Sequence, residues 1–166
     1  MSAKPTYLGL LNAIAVGEDR GFELLNAWSK ATDNTALKSV LGVIAIRERE
    51  HAAAFPKRLC ELGFDVRTTP AKKFKKQLKL ARSNLSDKKK FKQVLRITRS
   101  SPNTPDPFGS MFEDTTIDPL TGALLGRYIA EERDSGRRLR AAYDLLSGAK
   151  EDAKLSESLE VLQQPR

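Results

Sequence analysis

The chain has 166 residues, one cysteine, one histidine and a formal net charge of +8. That length suits one compact domain, and a single cysteine, Cys60, excludes an internal disulfide and any cysteine-cluster metal site. The start, Met1-Ser2-Ala3-Lys4-Pro5, has no signal-peptide pattern. The longest apolar stretch, Tyr7 to Val16, contains Asn12 and runs into Glu18-Asp19-Arg20, too short and polar to span a bilayer. A reducing cytoplasm, with no membrane partner, is the expected setting.

The first predicted helix covers 6–31. Thr6, behind Pro5, is the expected cap. Tyr7, Leu11, Ile14, Phe22, Leu25 and Trp28 recur at steps of three and four along one face. A short polar link, Thr32 to Thr35, makes the second helix, 36–62, an antiparallel neighbour. Leu37, Leu41, Ile44, Phe55 and Leu59 form its stripe, Gly63 stops it, and Pro56 inside it predicts a kink.

Segment 70–99 holds twelve Lys or Arg and one acid, Asp87. It carries +11, so the rest of the chain carries −3. Two short amphipathic helices are expected, broken near Ser83 to Asp87, with Ser86 or Asp87 as a cap. The segment reads first as a solvated face whose Phe74, Leu78 and Phe91 cover the bundle. The alternative is a nucleic-acid footprint centred on Lys72, Lys73, Lys76, Lys89 and Lys90. Pro102, Pro105 and Pro107 mark a loop that extends to about Thr116. A fourth long segment, 118–146, opens with Asp118-Pro119 as cap and first-turn proline and ends at Ser147-Gly148. A short helix over 151–162 closes a single all-α domain of residues 1–166, in which no strand pattern appears.

Charged residues interrupt three of these stripes. The faces read Leu11, Ile14, Glu18, Phe22; then Leu41, Ile44, Glu48, His51, Phe55; then Leu125, Tyr128, Glu132, Ser135, Leu139. A buried, unpaired carboxylate costs several kcal/mol, on the order of 3–5. Three of them on faces that must meet need a common partner, and a divalent cation is an efficient one. Glu48 and His51, three apart, point the same way on a helix. Carboxylate with neutral imidazole suits iron, manganese or zinc. The alternative is a buried network with Arg20, Arg47, Arg49, Arg127 or Arg133, in which His51 hydrogen-bonds Glu18 or Tyr128. Glu131 and Asp134 lie off the stripe and read as solvated; Tyr128 and Ser135 are candidate supporting residues.

Glu18 on one helix and Glu48-Arg49-Glu50-His51 on the next resemble the ferritin-like superfamily, in which the first helix supplies a Glu and the second a Glu-x-x-His. The resemblance covers 6–63 and, more loosely, 118–146. It implies an antiparallel helix bundle with Glu18 as first-helix ligand, Glu48 as bridging ligand, His51 as terminal ligand and Glu132 as the carboxylate of the second half. Glu131-Glu132-Arg133-Asp134-Ser135 resembles a second Glu-x-x-His in which Ser135 replaces the histidine. That asymmetry is closer to a ferritin-type ferroxidase centre than to rubrerythrin. The resemblance implies one or two iron ions, alternatively manganese, and no haem or nucleotide cofactor. It also implies oxidation of the metal or activation of dioxygen or peroxide, a separate electron donor for any redox turnover, and a homodimer or higher oligomer. The competing expectation is a metal-free helical binding module that uses the 70–99 surface for nucleic acid or a protein.

Overall fold

The computed structural model describes residues 5–98 and 108–162, without the side chains of 112 and 149–162. The described residues are helical, with no strand among them: α1 (Leu8–Ala31), α2 (Thr35–Glu61), α3 (Lys72–Arg82), α4 (Asp87–Lys90) and α5 (Pro119–Leu162). No helix among the described residues is long and apolar enough to cross a membrane.

Thr6 does not cap α1. Its hydroxyl donates to Asp114 Oδ2 at 2.6 Å, and Tyr7 takes the cap position without a side-chain bond. Asn34 caps α2, its Oδ1 accepting from the Leu37 amide at 2.8 Å. At the other end Gly63 adopts φ +84°, which lets the Phe64 amide reach Leu59 O and the Gly63 amide reach Cys60 O, both at 2.9 Å. This pairing satisfies carbonyls that the helix end leaves open. α2 continues through Pro56 as one helix.

The basic segment breaks where the polar run predicts, between Arg82 and Asp87. Ser86 holds the cap position of α4 without a side-chain cap bond. The Asp87 carboxylate instead accepts from Trp28 Nε1 and Thr32 Oγ1, each at 2.7 Å, which ties α4 to α1. α4 runs into a π turn over Phe91–Leu95. A short 3₁₀ turn, Gly109–Phe112, precedes α5. The proline loop 100–107 and Arg99 lie outside the described residues. Ser147-Gly148 does not end the last long segment: α5 continues as one helix through 151–162. A serine and a glycine weaken a helix by about 1 kcal/mol or less each, too little to stop it without a left-handed residue.

α1 and α2 pack antiparallel, α3 packs on α1, and α5 packs on α2. Arg58 meets Asp118, His51 meets Glu131 and Arg47 meets Asp134, so α5 runs antiparallel to α2. The interior divides into two apolar clusters. One is built from Tyr7, Leu8, Leu11, Ile14, Phe55, Leu59, Leu125, Tyr128 and Ile129. The other is built from Leu25, Trp28, Leu37, Leu41, Ile44, Phe91, Val94 and Tyr143. On each long helix the residues between those two clusters are the ones that carry charge: Glu18 on α1, Glu48 and His51 on α2, Glu131 and Glu132 on α5.

Candidate metal centre

Glu18, Glu48 and His51 are buried and Glu132 is half-buried, in one layer between the apolar clusters. Helical spacing explains the convergence. Glu18 follows Leu11 and Ile14 on the inward face of α1, and His51 lies one turn before Phe55 on that of α2. One ligand atom each from Glu18, His51 and Glu132 lie within 4.8 Å of one another.

His51 is held from both sides. Its Nδ1 lies 3.0 Å from Glu18 Oε2 and its Nε2 lies 2.8 Å from Glu131 Oε2. Both ring nitrogens thus face a carboxylate oxygen at hydrogen-bonding distance, an arrangement that favours the protonated ring. Burial works against the charged ring, but the bonds to Glu18 and Glu131 outweigh it and raise the pKa above its usual value. Tyr128 and Phe55 wall the ring, at centroid distances of 5.1 and 6.4 Å.

Glu131 is the residue that sequence reasoning misplaced. It was expected in solvent because it lies off the apolar stripe. The structure turns its carboxylate inward to His51, while Arg127 Nε donates to its other oxygen at 3.0 Å. Burial opposes ionisation of Glu131, but Arg127 and then His51 lower its pKa. The signal was present in the sequence as Arg127 four residues earlier, a spacing that favours an ion pair.

Glu48 stands beside the three converging atoms. Its carboxyl group lies against Gly21 of α1. A Cβ at Gly21 would collide with Glu48 Oε2 and come within 2.9 Å of Cδ. The missing side chain at Gly21 thus makes the space in which Glu48 sits, a role that the sequence pattern did not reveal. Burial, then the charges of Glu18 and Glu132, push the Glu48 carboxyl up to about 10.

Burial and the Glu18 charge push Glu132 up to about 7, against the pull of His51 and Arg47. Its Oε1 is buried with no hydrogen-bond partner. Burial, followed by the charges of Glu18 and Glu132, raises Tyr128. Ser135 is buried but faces away from the cluster: its Oγ accepts from Arg47 at 3.2 Å.

Arginine neutralises part of this layer, as the alternative reading expects: Arg127 pairs with Glu131, and the charge of Arg47 favours ionisation of Glu132. Arg47 pairs with Asp134 at 2.8 Å, and Arg127 pairs with Glu50 and Glu131. Arg20 donates to Thr69 O at 2.7 Å, and Arg49 lies over the Phe22 ring. Asp134, expected in solvent, is held by Arg47 and Arg138. His51 bonds Glu18, as that reading also allows, and with Glu131 held by Arg127 the acids left to share the histidine are Glu18, Glu48 and Glu132.

The donor set fits a hard or borderline cation: carboxylate oxygens and one imidazole, no thiolate, in a pocket closed above and below by apolar side chains. The Glu132 oxygen beside Glu18 and His51 is a buried acceptor left without a donor, an arrangement that costs stability until a positive partner reaches it. Comparison with family models, curated proteins and solved structures finds no match to this chain.

Proposed function

We propose that the chain is a ferritin-like, non-haem metal-binding protein that holds one or two iron ions, alternatively manganese, between α1, α2 and α5. The observation that carries this reading is the orphaned Glu132 oxygen beside Glu18 and His51, whose ligand atoms converge within 4.8 Å. Glu18, His51 and Glu132 are the core of the ligand set, and Glu48 adds a fourth side chain from the same layer.

Glu131 positions His51. By accepting from Nε2 it fixes the ring so that Nδ1 faces Glu18 and Glu132, and it raises the basicity of that nitrogen. Arg127 in turn holds Glu131, which is the member of the cluster with its side chain partly open to solvent, at 24%. Phe55 of α2 and Tyr128 of α5 pack edge to face against the His51 ring and each other, an apolar wall that strengthens the electrostatic interactions beside it. Gly21 keeps the Glu48 pocket open. Bound iron would supply redox chemistry toward dioxygen or peroxide, with Fe(II) itself as the simplest substrate and a separate protein as electron donor for any repeated turnover.

Elemental analysis of the protein purified without added metal tests this. The expected result is one to two equivalents of iron or manganese per chain. A protein without either metal, and with none taken up on dialysis, would leave a helical binding module in its place.

A further inference from the structure

We propose that α3 is a docking surface for the phosphate backbone of a nucleic-acid duplex, bound without sequence preference. Six of its eleven residues are basic: Lys72, Lys73, Lys75, Lys76, Lys79 and Arg82. All six are exposed, while Phe74, Leu80 and Ala81 pack into the Trp28 cluster and Leu78 is half-buried. The cations therefore cover the outer half of the helix and nothing else does.

Five arginines elsewhere in the molecule are neutralised within the fold. Arg47, Arg58, Arg127, Arg137 and Arg138 each pair with a carboxylate. The six α3 side chains have no ion-pair partner among the described residues. They also stand three and four apart (72 with 75 and 76, 76 with 73 and 79, 79 with 75 and 82), spacings at which like charges destabilise a helix. The first turn holds Lys72 and Lys73 and no acid, against the helix dipole. An external polyanion removes both penalties at once.

The chemistry selects among polyanions. No large apolar side chain is exposed on α3 or α4, so the surface lacks the wedge that an anionic membrane would take. No exposed aromatic offers a stacking platform for single-stranded bases. Five of the six cations are lysines, point charges suited to phosphate and not to the forked reading of a base edge. α3 is about 16 Å long, which spans about five phosphates of one strand of a duplex at about 3.4 Å each. Exposed Lys89 and Lys92 extend the surface. Lys90, expected on it, is buried at 1% exposure near Asp87 and Asp33 and takes no part.

Fluorescence anisotropy with a labelled duplex of about 20 base pairs tests the proposal. Binding at about 50 mM salt should weaken about 500-fold by about 200 mM, a log–log slope of about −4.5 for five phosphates. The variant carrying Lys72→Gln, Lys73→Gln, Lys76→Gln and Lys79→Gln should lose at least tenfold in affinity and most of the slope. Glutamine matches lysine in helix propensity, so circular dichroism should show undiminished helix. Lys30→Gln with Lys38→Gln, on α1 and α2, should change affinity less than twofold. No binding at low salt, a slope unchanged in the quadruple variant, or tighter binding to anionic phospholipid vesicles than to the duplex would overturn it.

Discussion

Two acidic regions of this protein, one at the half-exposed start of α5 and one buried midway along the bundle, have opposite electrostatics. At the start of α5, Asp118 accepts from Tyr7 Oη at 2.7 Å, Arg58 at 2.8 Å, Thr121 Oγ1 at 2.6 Å and the amides of Leu120 and Thr121 at 3.0 Å. Burial opposes its ionisation, but these donors outweigh burial and hold the carboxyl well below the usual range. Midway along the bundle, Glu48 and Glu132 are pushed up to about 10 and about 7 by burial and by their acidic neighbours. An acid supplied with dedicated donors fastens a structure together. A buried group of acids with too few donors costs stability unless a positive partner joins it.

The largest difference should come from Glu48→Ala. Metal affinity should fall about a hundredfold, equivalent to about 2.8 kcal/mol, while helical content stays near wild type; equilibrium dialysis beside circular dichroism reads both. Asp118→Ala should do the reverse. It removes a cap and charged hydrogen bonds and should lower folding stability by about 2 kcal/mol in urea, with metal affinity changed less than twofold.

The pH dependence should split along the same line. Asp118 has a lowered folded pKa, so its contribution is full above the unfolded value of about 3.9 and is lost as pH falls through the folded value. Glu48 and Glu132 have raised folded pKa values, so the folded state holds more protons than the unfolded state above about pH 4.3. Stability from them falls as pH rises from there toward 7, by up to about 1.4 kcal/mol per pH unit for each proton held. His51, raised in the fold, acts in the same direction: its contribution is full below about 6.5 and is lost as pH rises through its folded value. Metal-stripped protein should therefore lose stability between pH 5 and 7, and added Mn(II) should reverse the slope. Urea titrations across that range check the sign.

The smallest effect should be that of Gly21→Ala. Alanine favours the helix by about 1 kcal/mol, so folding stability should hold within about that amount. The new methyl group displaces the end of Glu48, and metal affinity should drop about fivefold to tenfold.

Much of this was legible in the sequence. The apolar periods located α1, α2 and the start of α5, and Gly63, Asp118 and Pro119 marked ends that the structure uses as expected. Glu18, His51 and Glu132 were visible because each interrupts an apolar stripe. What escaped was set by contacts between helices. Glu131 lies off the stripe and is drawn inward by His51, Gly21 matters only because α2 presents Glu48 to it, and Thr6 bonds a loop 108 residues away. Period and propensity describe a helix one at a time and carry no information about what the facing helix brings.

The most direct measurement is equilibrium dialysis of metal-stripped protein at pH 7 against Mn(II) and, without oxygen, Fe(II), with Glu132→Gln beside wild type. Wild type should retain at least one ion per chain at micromolar free metal, and the variant should retain far less. Equal retention by the two, or none by either, would contradict the claim that these carboxyl groups are gathered for a cation.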